Sequence, residues 1–137
     1  MKDCIVIIPT YNEKENIAKI IPYTLNLSER FEILVIEDGS PDGTANIVRD
    51  LMQQFPDRIH MIERTGKLGL GTAYITGFKW SLEKGYSYIF EMDADFSHPP
   101  EKLLELLDAS ENKGAFLSVG SRYVKGGSVV NWPFDRL

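Results

Sequence analysis

A single cysteine, Cys4, leaves no room for a disulfide framework or a CxxC metal site, and its place inside an apolar run marks it as a buried thiol. A reducing compartment is compatible with that. No apolar run approaches the roughly 20 residues needed to cross a bilayer, and the N-terminus lacks a signal-peptide pattern. Histidine occurs only at His60 and His98, and no Ser/His/Asp arrangement for nucleophilic catalysis accompanies either. His60 falls in an apparent strand, where a structural role is expected. His98, three residues past Asp95, is within reach of a cation or phosphate, although a hydrogen-bonding role is the plainer one. Basic residues are outnumbered 15 to 20, and the net charge of −5 argues against nucleic acid or an anionic membrane surface as the main partner. A polyphosphate remains possible for such a chain if a metal inverts the local field. Internal repeats, low-complexity tracts and domain boundaries are also missing, so the 137 residues read as one domain.

What is present is an alternation of strand and helix. Residues 4–8 are a continuous apolar run bounded by Pro9, as in a central parallel strand. Glu13 to Asn26 carry Ile17, Ile20, Ile21 and Leu25 at near-helical spacing, with Pro22 as a kink or early stop. A second strand, 32–36, runs into Glu37 and Asp38, and the turn Gly39 to Thr44 opens a helix over about 44–54. A short strand from Arg58 to Glu63 leads through a glycine-bearing stretch to a helix that stops at Gly85. The aromatic and β-branched run 86–90 reads as the middle strand. A helix from Pro100 to about Glu111 follows, with Leu103, Leu104, Leu106 and Leu107 inward, and then a fifth strand over 116–119. The connections are too long for hairpins, so the expected fold is α/β, a mostly parallel Rossmann-like sheet flanked by helices. Residues 125–128 read as a flexible loop, and the ending at Asp135-Arg136-Leu137 as that of a fragment of a longer protein.

The chemistry concentrates at strand ends. Residues 86–100, YSYIFEMDADFSHPP, pass from a buried strand straight into Asp93-Ala94-Asp95 and then to Pro99-Pro100, which cannot continue a strand but can open a helix. In an open parallel sheet the ligand crevice lies beyond the carboxyl ends of the strands, where these acids fall. Two carboxylates so close repel by about 1 kcal/mol even at water's dielectric. A hard cation such as Mg²⁺ or Mn²⁺ would hold them together; two solvated acids in a loop are the plain alternative. Pro9 to Glu13, Glu37-Asp38 and Ser121-Arg122 are expected on the same rim. The turn GSPDGT and the stretch GKLGLG match neither the GxGxxG nor the GxxxxGK[ST] phosphate-loop spacing, and Lys67 is not a Walker lysine.

The segments PTYNE, EDGSPDGT, GLGTAYITGFKW, MDADFSHPPE and VGSRYVKGG…NWPFDR, in order and over nearly the whole chain, resemble the polyprenol-phosphate (dolichol-phosphate) mannosyltransferases of glycosyltransferase family 2. The resemblance implies a GT-A fold over residues 1–137, forming the N-terminal catalytic part of a longer protein, with GDP-mannose as donor, polyprenyl or dolichyl phosphate as acceptor and Mg²⁺ or Mn²⁺ as cofactor. It implies that Pro9, Tyr11, Glu13, Ile36 and Asp38 form the base and ribose pocket and that Asp93 and Ala94 line the nucleotide. Asp95 would ligate the metal. Ser97, where the family often has Gln, would coordinate through water. Arg122 and Arg136 match the arginines near the diphosphate and acceptor phosphate, with Lys125 close by, and Asp93, Asp95 and Arg122 would be catalytic. Glu37 stands where an Asp is common. The product would be a β-linked mannosyl phosphate formed with inversion. The implied location is cytoplasmic, peripheral at a membrane's cytoplasmic face, with membrane association through segments absent from this chain. A family 2 enzyme using a UDP-sugar, a non-catalytic nucleotide-sugar-binding module and a response-regulator-like domain are the competing readings; the last lacks a phosphoacceptor pattern.

Overall fold

The computed structural model describes residues 3–65, 69–97 and 99–113. Four strand-helix units follow in order: β1 (Cys4–Thr10), α1 (Lys14–Leu25), β2 (Phe31–Glu37), α2 (Thr44–Gln54), β3 (Ile59–Glu63), α3 (Leu70–Lys84), β4 (Tyr88–Glu91) and α4 (Lys102–Lys113). All pairings are parallel, in the order β3-β2-β1-β4. The expected fifth strand over 116–119 and the 125–128 loop lie outside the described residues. So do Lys67, His98, Ser121, Arg122, Lys125 and Arg136.

The apolar runs of β1 and β2 are buried on both faces, which is why they do not alternate with polar residues. On one face Cys4, Val6, Ile8, Ile33, Val35 and Phe90 meet residues of α1, α2 and α4. On the other, Ile5, Ile7, Leu34, Ile36 and Ile89 meet α3 through Ala73, Tyr74, Phe78 and Trp80. Burial raises the Cys4 thiol pKa to about 12, with the Asp3 carboxylate adding to the effect, so the group is an inert core side chain. Among the described residues no helix is long and apolar enough to cross a membrane.

Within the described sheet β1 and β2 are the inner strands and β4 ends the order; the fifth strand expected over 116–119, which bears on the middle place of β4, lies outside the described residues. Three details differ from the sequence reading. Pro9 does not end β1. The Ile7 carbonyl accepts from Met92 N–H on the β4 side and the Thr10 carbonyl from Asp38 N–H on the β2 side. Alternation therefore turns Pro9 toward β4, where its missing N–H stops pairing while the β2 ladder runs on to Thr10. Pro22 lies inside α1, which continues because Leu25, beyond the proline, is buried with Ile17, Ile20 and Ile21. Leu104 is exposed on α4, whereas Leu103, Leu106 and Leu107 are buried.

His60 has the structural role its strand position suggested. Its Nε2 lies 2.7 Å from Glu32 Oε1, and the Tyr86 hydroxyl donates to the same oxygen at 2.7 Å. Trp80 stacks on Tyr86, closing this network at the amino-terminal side of the sheet, away from the strand exits.

Helix α3 ends where Gly85 takes a left-handed φ of 82°, as an αL cap requires. Its height over the sheet is set at Gly77, where an added Cβ would stand 2.7 Å from Ile7 Cγ2. Gly77→Ala would gain about 1 kcal/mol of helix propensity but overpacks the α3–β1 contact, which costs about 1–3 kcal/mol. Urea melts of Gly77→Ala are expected to show a net loss of about 1 kcal/mol; a stabilised variant would mean that α3 is free to move off β1.

Candidate active site

Each strand delivers its polar residues as it leaves the hydrogen-bonded ladder. After β1, Asn12 takes a positive φ of 55°, and its N–H donates to Ser40 Oγ at 2.8 Å. The Thr44 hydroxyl accepts Glu13 N–H at 3.0 Å and donates to Asp42, so the starts of α1 and α2 share one side chain. Asp42 also accepts Thr44 N–H at 3.0 Å, supplying the start of α2 with a side-chain acceptor. Glu37, at the end of β2, is drawn inward. It accepts from the Thr10 hydroxyl at 3.0 Å, from Ser40 N–H at 2.8 Å and from the Ser40 hydroxyl. Both of its oxygens are thus engaged in holding the turn.

Asp38 and Arg64 form a bidentate pair, with Nε 2.6 Å from Oδ1 and Nη2 2.8 Å from Oδ2. Both side chains are about nine-tenths buried, and the geometry is the fork-on-fork arrangement that makes such pairs specific. Arg64 also donates to the Thr72 hydroxyl at 3.1 Å and to the Gly69 carbonyl at 3.3 Å, while its N–H meets the Glu37 carbonyl at 2.8 Å. One guanidinium thereby ties the exits of β2 and β3 to the beginning of α3.

Beyond β4, the Tyr74 hydroxyl donates to Asp93 Oδ1 at 2.9 Å. Ser97 donates its N–H to Asp95 Oδ1 at 2.9 Å, and its hydroxyl reaches the same oxygen. Phe96, between them, holds a left-handed φ of 60°, an unusual conformation for a bulky residue, and its ring meets Tyr23 edge-on at 6.4 Å. Below the loop, burial and then the Asp93 charge push the Glu91 carboxyl up to about 7.

A cleft of about 330 Å³ opens at this rim, lined by Pro9, Thr10, Tyr11, Glu13, Asp38, Gly69, Ala73, Asp93, Ala94 and Asp95. Of the residues singled out from sequence, Pro9, Tyr11, Glu13, Asp38, Asp93, Ala94 and Asp95 are therefore brought together. Ile36 is not among them, being fully buried in the core under α3. Glu37 is likewise turned away, and Ser97 stands beside the cleft through its bonds to Asp95. Among the described residues no three His, Cys, Asp or Glu side chains form a group that could hold a metal ion by themselves. Sequence reasoning missed Arg64, Tyr74 and Glu91. Arg64 had a usable signal, an arginine immediately after a strand, on the same edge as the acids. Glu91 stood in plain view two residues before Asp93, but its burial could not be read from the sequence; Tyr74 had no signal, because only the packing of α3 on the sheet brings it beside Asp93.

A parallel sheet with a polar cleft at its carboxyl edge and two acids at the exit of β4 is the GT-A architecture. The model of the glycosyl transferase family 2 matches residues 5–137, and the chain belongs to that family. It is 53% identical over 133 residues to a polyprenol monophosphomannose synthase of Mycolicibacterium smegmatis, covering 97% of this chain and 50% of that protein. It is 46% identical over 132 residues to an undecaprenyl-phosphate mannosyltransferase of Micrococcus luteus, covering 96% and 53%. It is 44% identical over 133 residues to a dolichol-phosphate mannosyltransferase of Pyrococcus furiosus, covering 96% and 36%. The chain thus spans about half or less of the length of these curated relatives. Among solved structures, a mannosyltransferase from Pyrobaculum calidifontis in complex with GDP-Man and Mn²⁺ superposes with a TM-score of 0.69 at 24% identity, over 82% of this chain and 33% of that one. S. aureus TarS 1–349 in complex with UDP-GlcNAc gives 0.61 at 21%, over 84% and 32%.

The Glu91 environment has a measurable consequence. A carboxyl whose folded-state pKa is raised from 4.5 to about 7 adds stability that is complete below about pH 4.5 and lost as pH rises through 7. The loss amounts to about 3 kcal/mol. Glu91→Gln, which cannot ionise, is expected to gain on the wild type progressively between pH 5 and 8 in urea melts. A wild-type-minus-variant difference that stays flat with pH would show that the carboxylate is well solvated.

Proposed function

We propose that the chain carries the donor half of a mannosyltransferase that moves mannose from GDP-mannose to a polyprenyl phosphate. The observation that carries this reading is the convergence of Pro9, Tyr11, Glu13, Asp38, Asp93 and Asp95 on one cleft at the carboxyl edge of a parallel sheet. The acceptor follows from the lipid-phosphate mannosyltransferases to which the chain is similar, and the donor is the ligand of the Pyrobaculum neighbour.

In this reading Pro9 and Tyr11 wall the base, while Glu13 and Asp38 accept from the ribose hydroxyls. Ile36, fully buried under α3, supports β2 and does not touch the nucleotide. Asp93 and Ala94 border the diphosphate. Asp95 and, through water, Ser97 would hold Mg²⁺ or Mn²⁺. Asp95 and Ser97 would offer hard oxygen donors on one short loop, the kind of donor such an ion prefers. When bound, the ion supplies Lewis-acid stabilisation of the departing diphosphate. The bond from the sugar's anomeric carbon to the diphosphate breaks with its electron pair leaving on GDP, and the new bond forms to an acceptor phosphate oxygen. Carboxylates near the ring favour its oxocarbenium character. An acceptor phosphate is already anionic at neutral pH, so the step needs no general base. Attack from the face opposite the leaving group inverts the anomeric centre and gives the β-linked product. Arg122 and Arg136 would stabilise the diphosphate and acceptor charges. The expected setting is the cytoplasmic face of a membrane, where the lipid phosphate lies.

Calorimetric titration with GDP and UDP, each with and without Mn²⁺, tests the reading. GDP is expected to bind more tightly than UDP, with at least tenfold improvement in Mn²⁺, and Asp95→Asn should remove that improvement. Binding that is absent, or indifferent to Mn²⁺, would overturn it, and a preference for UDP would transfer the site to a UDP-sugar donor.

A further inference from the structure

The two sides of the cleft treat their carboxylates differently. Asp38 is neutralised within the protein by the Arg64 guanidinium, so its charge is already matched. Asp93 is held by an uncharged group: among the described residues, the Tyr74 hydroxyl is the one side chain bonded to it. A neutral donor fixes an oxygen without cancelling its charge, whereas a cation at the same place would compete with any cation arriving with a ligand.

Tyr74 is well placed to act as a fixed donor. It lies one helical turn before Gly77, whose close approach to Ile7 sets the distance of α3 from the sheet. Neighbouring Ala73 is buried and lines the cleft. Burial, reinforced by the Asp93 charge and hydrogen bond, raises the phenol pKa above its ordinary value, so the hydroxyl keeps its proton at working pH. Glu91 and Asp95 push in the same direction, which places the phenol in the field of three acids of one strand exit.

We infer that Tyr74 is a positioning residue for the donor site: its hydroxyl fixes Asp93 Oδ1 and thereby sets the carboxylate that faces the metal-bound diphosphate. This rests on the donor-site reading above. It does not require Tyr74 to touch the nucleotide. The hydroxyl acts through Asp93, and its loss therefore affects only the part of binding that depends on the divalent ion.

Tyr74→Phe keeps the ring that packs under the sheet and removes only the donor. GDP affinity in Mn²⁺ is expected to fall about tenfold, while GDP affinity without metal stays within twofold of the wild type and reports that the site is still folded. In an Asp93→Asn background, the further change to phenylalanine should leave Mn²⁺-dependent affinity unaltered. Three results would overturn the inference: equal Mn²⁺-dependent affinity in Tyr74→Phe and wild type, equal losses with and without metal, or an undiminished effect of the change in the Asp93→Asn background. The wild-type arm separates this from failure of the donor-site reading. Wild-type protein that shows no Mn²⁺-dependent GDP binding overturns both, whereas normal wild-type binding with an indifferent variant overturns only the role of Tyr74.

Discussion

Parallel pairing requires every strand to leave the sheet at the same edge, and the apolar faces of β1 and β2 permit no alternative. With Val6, Ile8, Ile33 and Val35 turned to one side and Ile5, Ile7, Leu34 and Ile36 to the other, a one-residue slip of register would exchange the two sets. The consequence is positional: Pro9 to Glu13, Asp38, Arg64 and Asp93 to Asp95 come from four separate stretches of chain and arrive at one rim. Pro9 then divides that rim. By ending the ladder on the β4 side alone, just after the Met92 N–H bond to Ile7, it releases the acids that follow Met92 while β2 stays paired as far as Asp38.

Once so many acids share an edge, the arrangement depends on how each charge is held. Three different solutions coexist within a few residues of one another. Glu37 is tied down by Thr10 and Ser40 and serves the turn. Asp38 is paired with Arg64 in a nearly buried fork, the type of pair that is strongly destabilised by removal of either partner. Asp93 is oriented by a phenol, and Glu91 beneath it is shifted toward its neutral form, which limits the repulsion that its neighbour feels.

Much of this was legible in the chain. The strand runs, the helix that stops at Gly85 and the placement of the Asp93–Asp95 pair beyond a strand follow from local pattern, and the motif series points to the family that the comparisons support. What pattern could not supply was anything decided by sheet order or by opposed surfaces. The strand order itself is one such case: within the described sheet β4 ends the series β3-β2-β1-β4, which no local pattern fixes. Pro22 was expected to disturb α1, but the buried residues on both sides of it carry the helix through. The family resemblance implies a place for Ile36 in the base and ribose pocket, but Ile36 is still within β2 and covered by α3, whereas Asp38 lies just past the strand end and reaches the cleft. Tyr74 was invisible for a related reason, since its partner lies 19 residues away across two elements.

The shared Thr44 hydroxyl brings the first turns of α1 and α2 together, and Gly69 and Ala73 bring the first turn of α3 to the same cleft. Each helix start carries roughly half a positive charge from its aligned peptide dipoles. The amide ends of α1 and α3 therefore border a mouth that by residue type alone is acidic, and they do so without adding a titratable group. The local potential at that mouth is less negative than the formal count of its side chains, and it stays so across the pH range in which the backbone remains folded.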